Sequence, residues 1–262
     1  MPDGAEQLFG YRADVHRNRE IFLIQRQYAI HAFAGVIDYF DSIGRRVQNG
    51  RDANGKSHIG LLPFILLAQR QAMNAFEVLS SHRSYDAWLS FRPSLECVLM
   101  CGKWVDDPQN AELWSQRKER KDEYSKAFSG KKFRSKSLPR SDELQTVLSL
   151  LNDEFVHANN DYYQRHMSLE RINASESFLK VDFIDMDADS EAHTLAFLHL
   201  VVVMLDSLDS MFASLFVDAP PCRRMTDALE KTLGKQAILA VALAQEHKRT
   251  LKDLGLWNIK MA

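Results

Sequence analysis

Cysteine, proline and glycine are all scarce in this chain: 3, 7 and 11 in 262 residues. An odd, low cysteine count argues against a disulfide framework and for a reducing compartment. Cys97 and Cys101 stand one helical turn apart and have no second pair, so they read as buried small hydrophobes rather than zinc ligands. No dinucleotide-binding GxGxxG and no GxSxG nucleophile elbow occur, and a phosphate-binding glycine loop is not expected. There is no repeat, no low-complexity tract and no linker long enough to divide the chain, so residues 1–262 read as a single helical domain. The first residues, MPDGAEQLFGYRAD, lack the basic-then-apolar pattern of a signal peptide. Excess charge of either sign is missing too. The formal net charge of −2 gives no overall drive toward nucleic acid or membrane.

What is present is helical periodicity. Apolar residues recur at helical spacing over residues 5–48, which predicts one long helix. Two Asn-Gly steps in QNGRDANGK (48–56) predict a loop. A second helix runs from about Ser57 to Ser81, starting nearer Leu61 if Pro63 is to sit in its first turn. Residues 85–104 form the centre of the fold. They are apolar almost all round, as in a helix buried inside a bundle. One narrow polar stripe interrupts them: Tyr85, Arg92, Glu96 and Lys103, at offsets that return to nearly the same helical angle. Pro93 implies a kink there, or a fresh start capped by Ser90.

A charged helix is expected over 109–128, a basic, mobile loop over 130–140, and a helix from Ser141 to about Arg165. The helical pattern breaks over 167–189, where 177–183 alternates like a strand that pairs near 171–174. A helix is expected over 190–217, and Leu195 to Val217 is the most apolar run. Asp206 and Asp209 near its middle favour a buried helix of a soluble protein over a membrane span. A last helix covers 224–252. The expected fold is all-α: an irregular bundle of six or seven helices with a small β insertion near 171–183, cytoplasmic by elimination.

Two places carry candidate chemistry. Arg92 and Glu96 are four apart on a helix built for burial, where a charge needs a partner. Either they lock the core as an ion pair, or Arg92 binds an anion in a polar pocket while Glu96 orients a neighbour. His157 lies beside the apolar face of its helix, near Glu154 and Asp161, and is either a proton donor and acceptor, as a histidine can be, or a hydrogen-bonded helix residue at a groove. Residues 117–136 hold nine bases against three acids, interleaved with Tyr124, Phe128 and Phe133. Lys118, Lys121, Lys131, Lys132 and Arg134 there are candidate phosphate contacts, with the aromatics offered for stacking. The alternative is a solvated helix face and loop.

Arg92-x-x-Leu95-Glu96, then Asp107-Pro108-x-x-Ala111, then Asn152-x-x-x-x-His157 resembles a family of uncharacterised helical bacterial proteins, itself similar to the HEPN superfamily. The resemblance covers about residues 60–215. It implies a helical bundle acting on RNA or a nucleotide, as a metal-independent ribonuclease of a defence or toxin system. It also implies no cofactor and no metal. The HEPN signature is an arginine followed closely by a histidine. The histidine matches His157, but Leu150, Leu151 and Asn152 stand where the arginine belongs, and Asp153 fits the polar position after it. Arg92, reaching over from a neighbouring helix, is the substitute. His157 is then the acid/base, Arg92 the phosphate contact, and Glu96 or Asn152 orients them.

Two other readings stay open. In one the protein is a non-enzymatic interaction module whose Arg92, Glu96 and His157 fix the core, its first and last helices serving a homodimer or a protein partner. In the other, Glu154-x-x-His157 is half of a carboxylate–histidine metal site, with Glu96 or Glu77 as an added ligand and no second such pair.

Overall fold

In the computed structural model the described residues are 3–128, 130–153, 167–171, 177–181, 184–185 and 187–217. The expected helix 224–252, the continuation of the 141–165 helix beyond 153, and His157 lie outside them.

The described chain is all-α. Its helices are α1 (Asp3–Gln25), α2 (Gln27–Asn49), α3 (Leu62–Leu79), α4 (Ser84–Asp106), α5 (Gln109–Ser115), α6 (Lys121–Phe128), α7 (Ser141–Leu151) and α8 (Asp187–Leu215). That is more than the six or seven expected, because two expected helices are each broken in two. The 5–48 helix breaks at Arg26, whose backbone leaves the helical region at φ −117° and ψ 40°. Arg26 is 4% exposed and turns inward, donating to Ser190 Oγ at 2.7 Å and pairing with Glu191 at 2.5 Å. The 109–128 helix breaks at the turn between Ser115 and Lys121. Two short strands, β1 (Met167–Arg171) and β2 (Ser177–Val181), run antiparallel with Leu169 opposite Leu179.

The core is built where α2, α3, α4 and α8 pack together. Helix α4 buries Trp88, Phe91, Leu95, Val98 and Leu99, and α8 buries Phe197, Val201, Met204, Leu205 and Leu208. Phe33 of α2 stacks on Phe76 of α3 at 4.1 Å, and Phe91 meets Phe197 edge-on at 5.0 Å. Each fully buried aromatic of this kind contributes about 1.5–3 kcal/mol of transfer free energy. Helix α8 has the length and apolarity to cross a membrane, yet it is mostly buried inside the bundle. It also holds Asp209 in an ion pair with Arg46 of α2.

Helix α4 runs unbroken through Pro93, so no fresh start occurs at Ser90. Next to the proline, Ser94 donates its hydroxyl to Ala68 O of α3 at 2.9 Å. The first turn of α4 is capped from far along the chain: Ser84 N donates to Asp185 Oδ2 at 2.7 Å, and the Ser84 hydroxyl donates to the same oxygen. Helix α3 starts at Leu62, with Pro63 in its first turn.

The 130–140 segment is not the mobile loop expected from its bases. Asp106 at the end of α4 accepts from Lys136 N at 2.9 Å and Ser137 N at 2.8 Å. Ser141 Oγ accepts from Ser135 N at 2.7 Å, and Phe133 and Leu138 are buried. Gly102 makes the fit possible, since a Cβ there would stand 2.6 Å from Ser135 Oγ and 2.8 Å from Leu138 Cβ.

Candidate polar groove beside helix α4

The polar stripe of α4 emerges half-buried on the side of the helix that meets α7 and the 130–133 turn. Its centre is Arg92. The guanidinium Nη2 lies 2.7 Å from Glu96 Oε1, one turn on, and Nε donates to Asn152 Oδ1, 60 residues away. The Arg92 and Glu96 side chains keep 30% and 35% of their surface in water, so the cluster is open rather than sealed. Three of the four residues assigned to one site by sequence, Arg92, Glu96 and Asn152, are therefore together. The fourth, His157, lies five residues past Asn152, outside the described residues. Asn152 and Asp153 adopt π-helical geometry at the end of α7, a distortion often found at functional sites.

The electrostatics of the groove follow from this half-burial. Burial pushes the Glu96 carboxyl above its ordinary range, and the Arg92 charge pulls the other way without prevailing. Tyr124 of α6 is raised as well, by burial first and then by the neighbouring Glu96 carboxylate. This brings the start of the basic segment to the groove. Lys103 completes the stripe, its Nζ donating to Lys132 O at 3.2 Å and lying 6.0 Å from the Phe128 ring. Chemically, the arrangement offers an anion one guanidinium edge, beside a carboxyl that holds its proton more tightly than an exposed one. Cys97, on the adjacent face of α4, is pushed up to about 12 by burial and then by Glu96, so it is an inert thiol.

The basic segment is less uniform than its sequence. Lys118, Lys121 and Lys132 are exposed. Arg134 is ion-paired, its Nε 2.9 Å from Asp142 Oδ1. The Lys131 side chain lies outside the described residues. Phe128 and Phe133 are buried and meet edge-on at 5.9 Å, so they are core residues and not the stacking surfaces expected from sequence. Tyr124, half-buried and 4.8 Å from Phe128, is the one that remains. Glu77, considered as a metal ligand with Glu96, pairs with Arg19 of α1 instead. Among the described residues no three His, Cys, Asp or Glu side chains gather as a metal site requires.

Sequence reasoning missed a buried polar layer at the N-terminal ends of α2, α4 and α8. Arg26 lies there with Ser190 and Glu191, and the Tyr28 hydroxyl donates to Glu191. Burial, and then that carboxylate, hold the hydroxyl protonated far above its usual range. Trp88 Nε1 donates to His193 Nδ1 at 3.0 Å nearby. The run of acids from Asp182 to Glu191 was visible in sequence, but the base that answers Glu191 sits more than 160 residues earlier.

A phosphate-binding glycine loop, not expected from sequence, is in fact spelled by residues 50–57: Gly50, Gly55, Lys56 and Ser57 fit GxxxxGK[ST]. Its setting is wrong for that role. It joins helix to helix rather than strand to helix. The backbone amides of Asn54 and Lys56 donate to Asp52 Oδ1, each at 2.9 Å. The other Asp52 oxygen meets His58 Nε2 at 2.9 Å. The chain's own carboxylate fills the place a phosphate would take.

Comparison with protein-family models, with curated proteins and with solved structures finds no match.

Proposed function

We propose that this protein acts on RNA in the manner of the HEPN proteins it resembles, and that the groove beside α4 holds the phosphodiester. The observation that supports the reading is the bond from Arg92 to Asn152. Asn152 is one of the positions at which the signature lacks its arginine, and a guanidinium from another helix stands against it. In this reading Arg92 turns from Glu96 to a phosphate oxygen. Asn152 steers it, and His157 takes the proton of the ribose 2′-hydroxyl as its oxygen bonds phosphorus, while the P–O5′ bond breaks and the leaving 5′ oxygen takes up a proton. Lys118, Lys121 and Lys132 hold the flanking backbone by charge, so affinity falls with salt. The protein works without cofactor or metal, in the cytoplasm.

The test is RNA binding and cleavage by wild type, Arg92→Ala and His157→Ala, each checked for folding by circular dichroism. His157→Ala should bind RNA but cut it at least about 100-fold more slowly, the usual scale of general acid–base catalysis. Arg92→Ala should lose binding and cleavage together. Wild-type protein that neither binds nor cuts RNA removes the reading.

A second reading has one observation in its favour. Arg92 already has two partners, Glu96 and Asn152, so it also suits a purely structural tie in a protein that binds other proteins. There, Arg92→Ala lowers the melting temperature and changes nothing else.

A further inference from the structure

Among the described residues, the exposed apolar side chains include two surfaces of which one cannot cover the other. The first is the start of α1. Among the described residues, the side-chain contacts of this helix run from Phe22, edge-on to Phe76 at 5.8 Å, through the Arg19–Glu77 pair, to Tyr11, 5.9 Å beneath the Arg83 guanidinium. The residues before Tyr11 carry Leu8 and Phe9, which are 56% and 61% exposed. Such an overhang of about 12 Å is too short a helix to hold itself. The second surface is the outer face of α3 and the turn before it. Ile59, Leu66 and Met73 recur every seven residues on one line, with Leu67 beside them, and all four are exposed.

The overhang points the wrong way to cover its own stripe. From Phe76 to Arg83 it continues past the C-terminal end of α3, whereas Ile59, Leu66 and Leu67 lie toward the opposite end. A second copy turned through two-fold symmetry resolves this, because each arm then reaches the stripe of the other. The charges agree. Glu6 is exposed on the overhang, and Arg70 and Lys56 are exposed beside the stripe. No ion pair engages Arg70 among the described residues. We infer that the chain forms a symmetric dimer in which the first turns of α1, centred on Leu8 and Phe9, lie on Leu66 and Leu67 of the partner, with Glu6 against Arg70.

The experiment is the mass of the full chain in solution by light scattering across a dilution series up to about 100 µM. Wild type, Phe9→Glu and Leu66→Glu are compared, with helicity checked by circular dichroism. Wild type should be a dimer. Each substitution should weaken it at least tenfold while leaving the helicity unchanged, because both side chains are on the monomer surface. Leu67→Ser serves if Leu66→Glu fails to fold. Arg70→Glu alone should weaken the dimer, and Arg70→Glu with Glu6→Arg should restore it. A wild-type monomer at the highest concentration overturns the inference. So does a dimer that survives Phe9→Glu or Leu66→Glu.

Discussion

Glu96 shows what half-burial does to a single carboxyl. Its proton is held more tightly in the folded chain than in the unfolded one. A group with a raised folded pKa adds stability below its unfolded value and loses it as pH rises through the folded value. Relative to Glu96→Gln, wild type should therefore gain stability as pH falls from neutral into the carboxylate range. Urea unfolding of the two proteins at pH 7 and pH 4.5 checks the sign. Gly102 shows the opposite economy, a residue chosen for what it lacks. A methyl group there would collide with Ser135 and Leu138, so Gly102→Ala should destabilise by about 1–3 kcal/mol. The loss should appear in the urea midpoint and as faster exchange of the Lys136 and Ser137 amides that Asp106 holds. The stripe containing Arg92 and Glu96 was legible from sequence, because 7, 11 and 18 residues return a helix to one angle. Its contact with Asn152 was not, since no local pattern relates residues 60 apart.

At the scale of elements, the breaks in the helices were the hidden part. Phe22 and Ala29 are seven apart, so the apolar spacing crosses Arg26 in phase and reads as one helix. The break exists because Arg26 meets Ser190 and Glu191 on α8, and that pairing is written in no local window. Arg26→Ala should cost about 3 kcal/mol, since it leaves the partly buried Glu191 carboxylate without its charge partner and with only the Tyr28 hydroxyl. Arg26→Met with Glu191→Met should recover most of that loss in a thermal melt. The loop 130–140 was misjudged for a related reason. Its bases are visible as letters, but the backbone amides taken by Asp106 and Ser141 are not. Likewise Phe128 and Phe133 lie in charged sequence, and only the fold reveals that they face inward.

For the whole molecule, the all-α class followed directly from periodicity, and the apolar α4 and α8 were correctly expected to be interior. Function is harder to read, because the groove joins residues of α4, α6 and the end of α7 that no local window relates. The RNA-acting reading and the dimer are independent. The groove lies on the α7 side of α4, whereas the arm and its stripe are on α1 and α3. Phe9→Glu should therefore leave RNA binding by the monomer within about twofold of wild type, whereas Arg92→Ala should leave the dimer intact. Measuring both properties on both variants separates the two faces of the molecule.

The latch at Arg26 also bears on how the chain is made. Its partners Ser190 and Glu191 are translated 164 and 165 residues after it. Cap and helix are divided in the same way, Asp185 following Ser84 by 101 residues. On the ribosome, the corner between α1 and α2 and the first turn of α4 must therefore wait, exposed, until α8 emerges. Only its arrival closes the N-terminal half of the protein, so a chain that stalls before residue 185 is left without either lock.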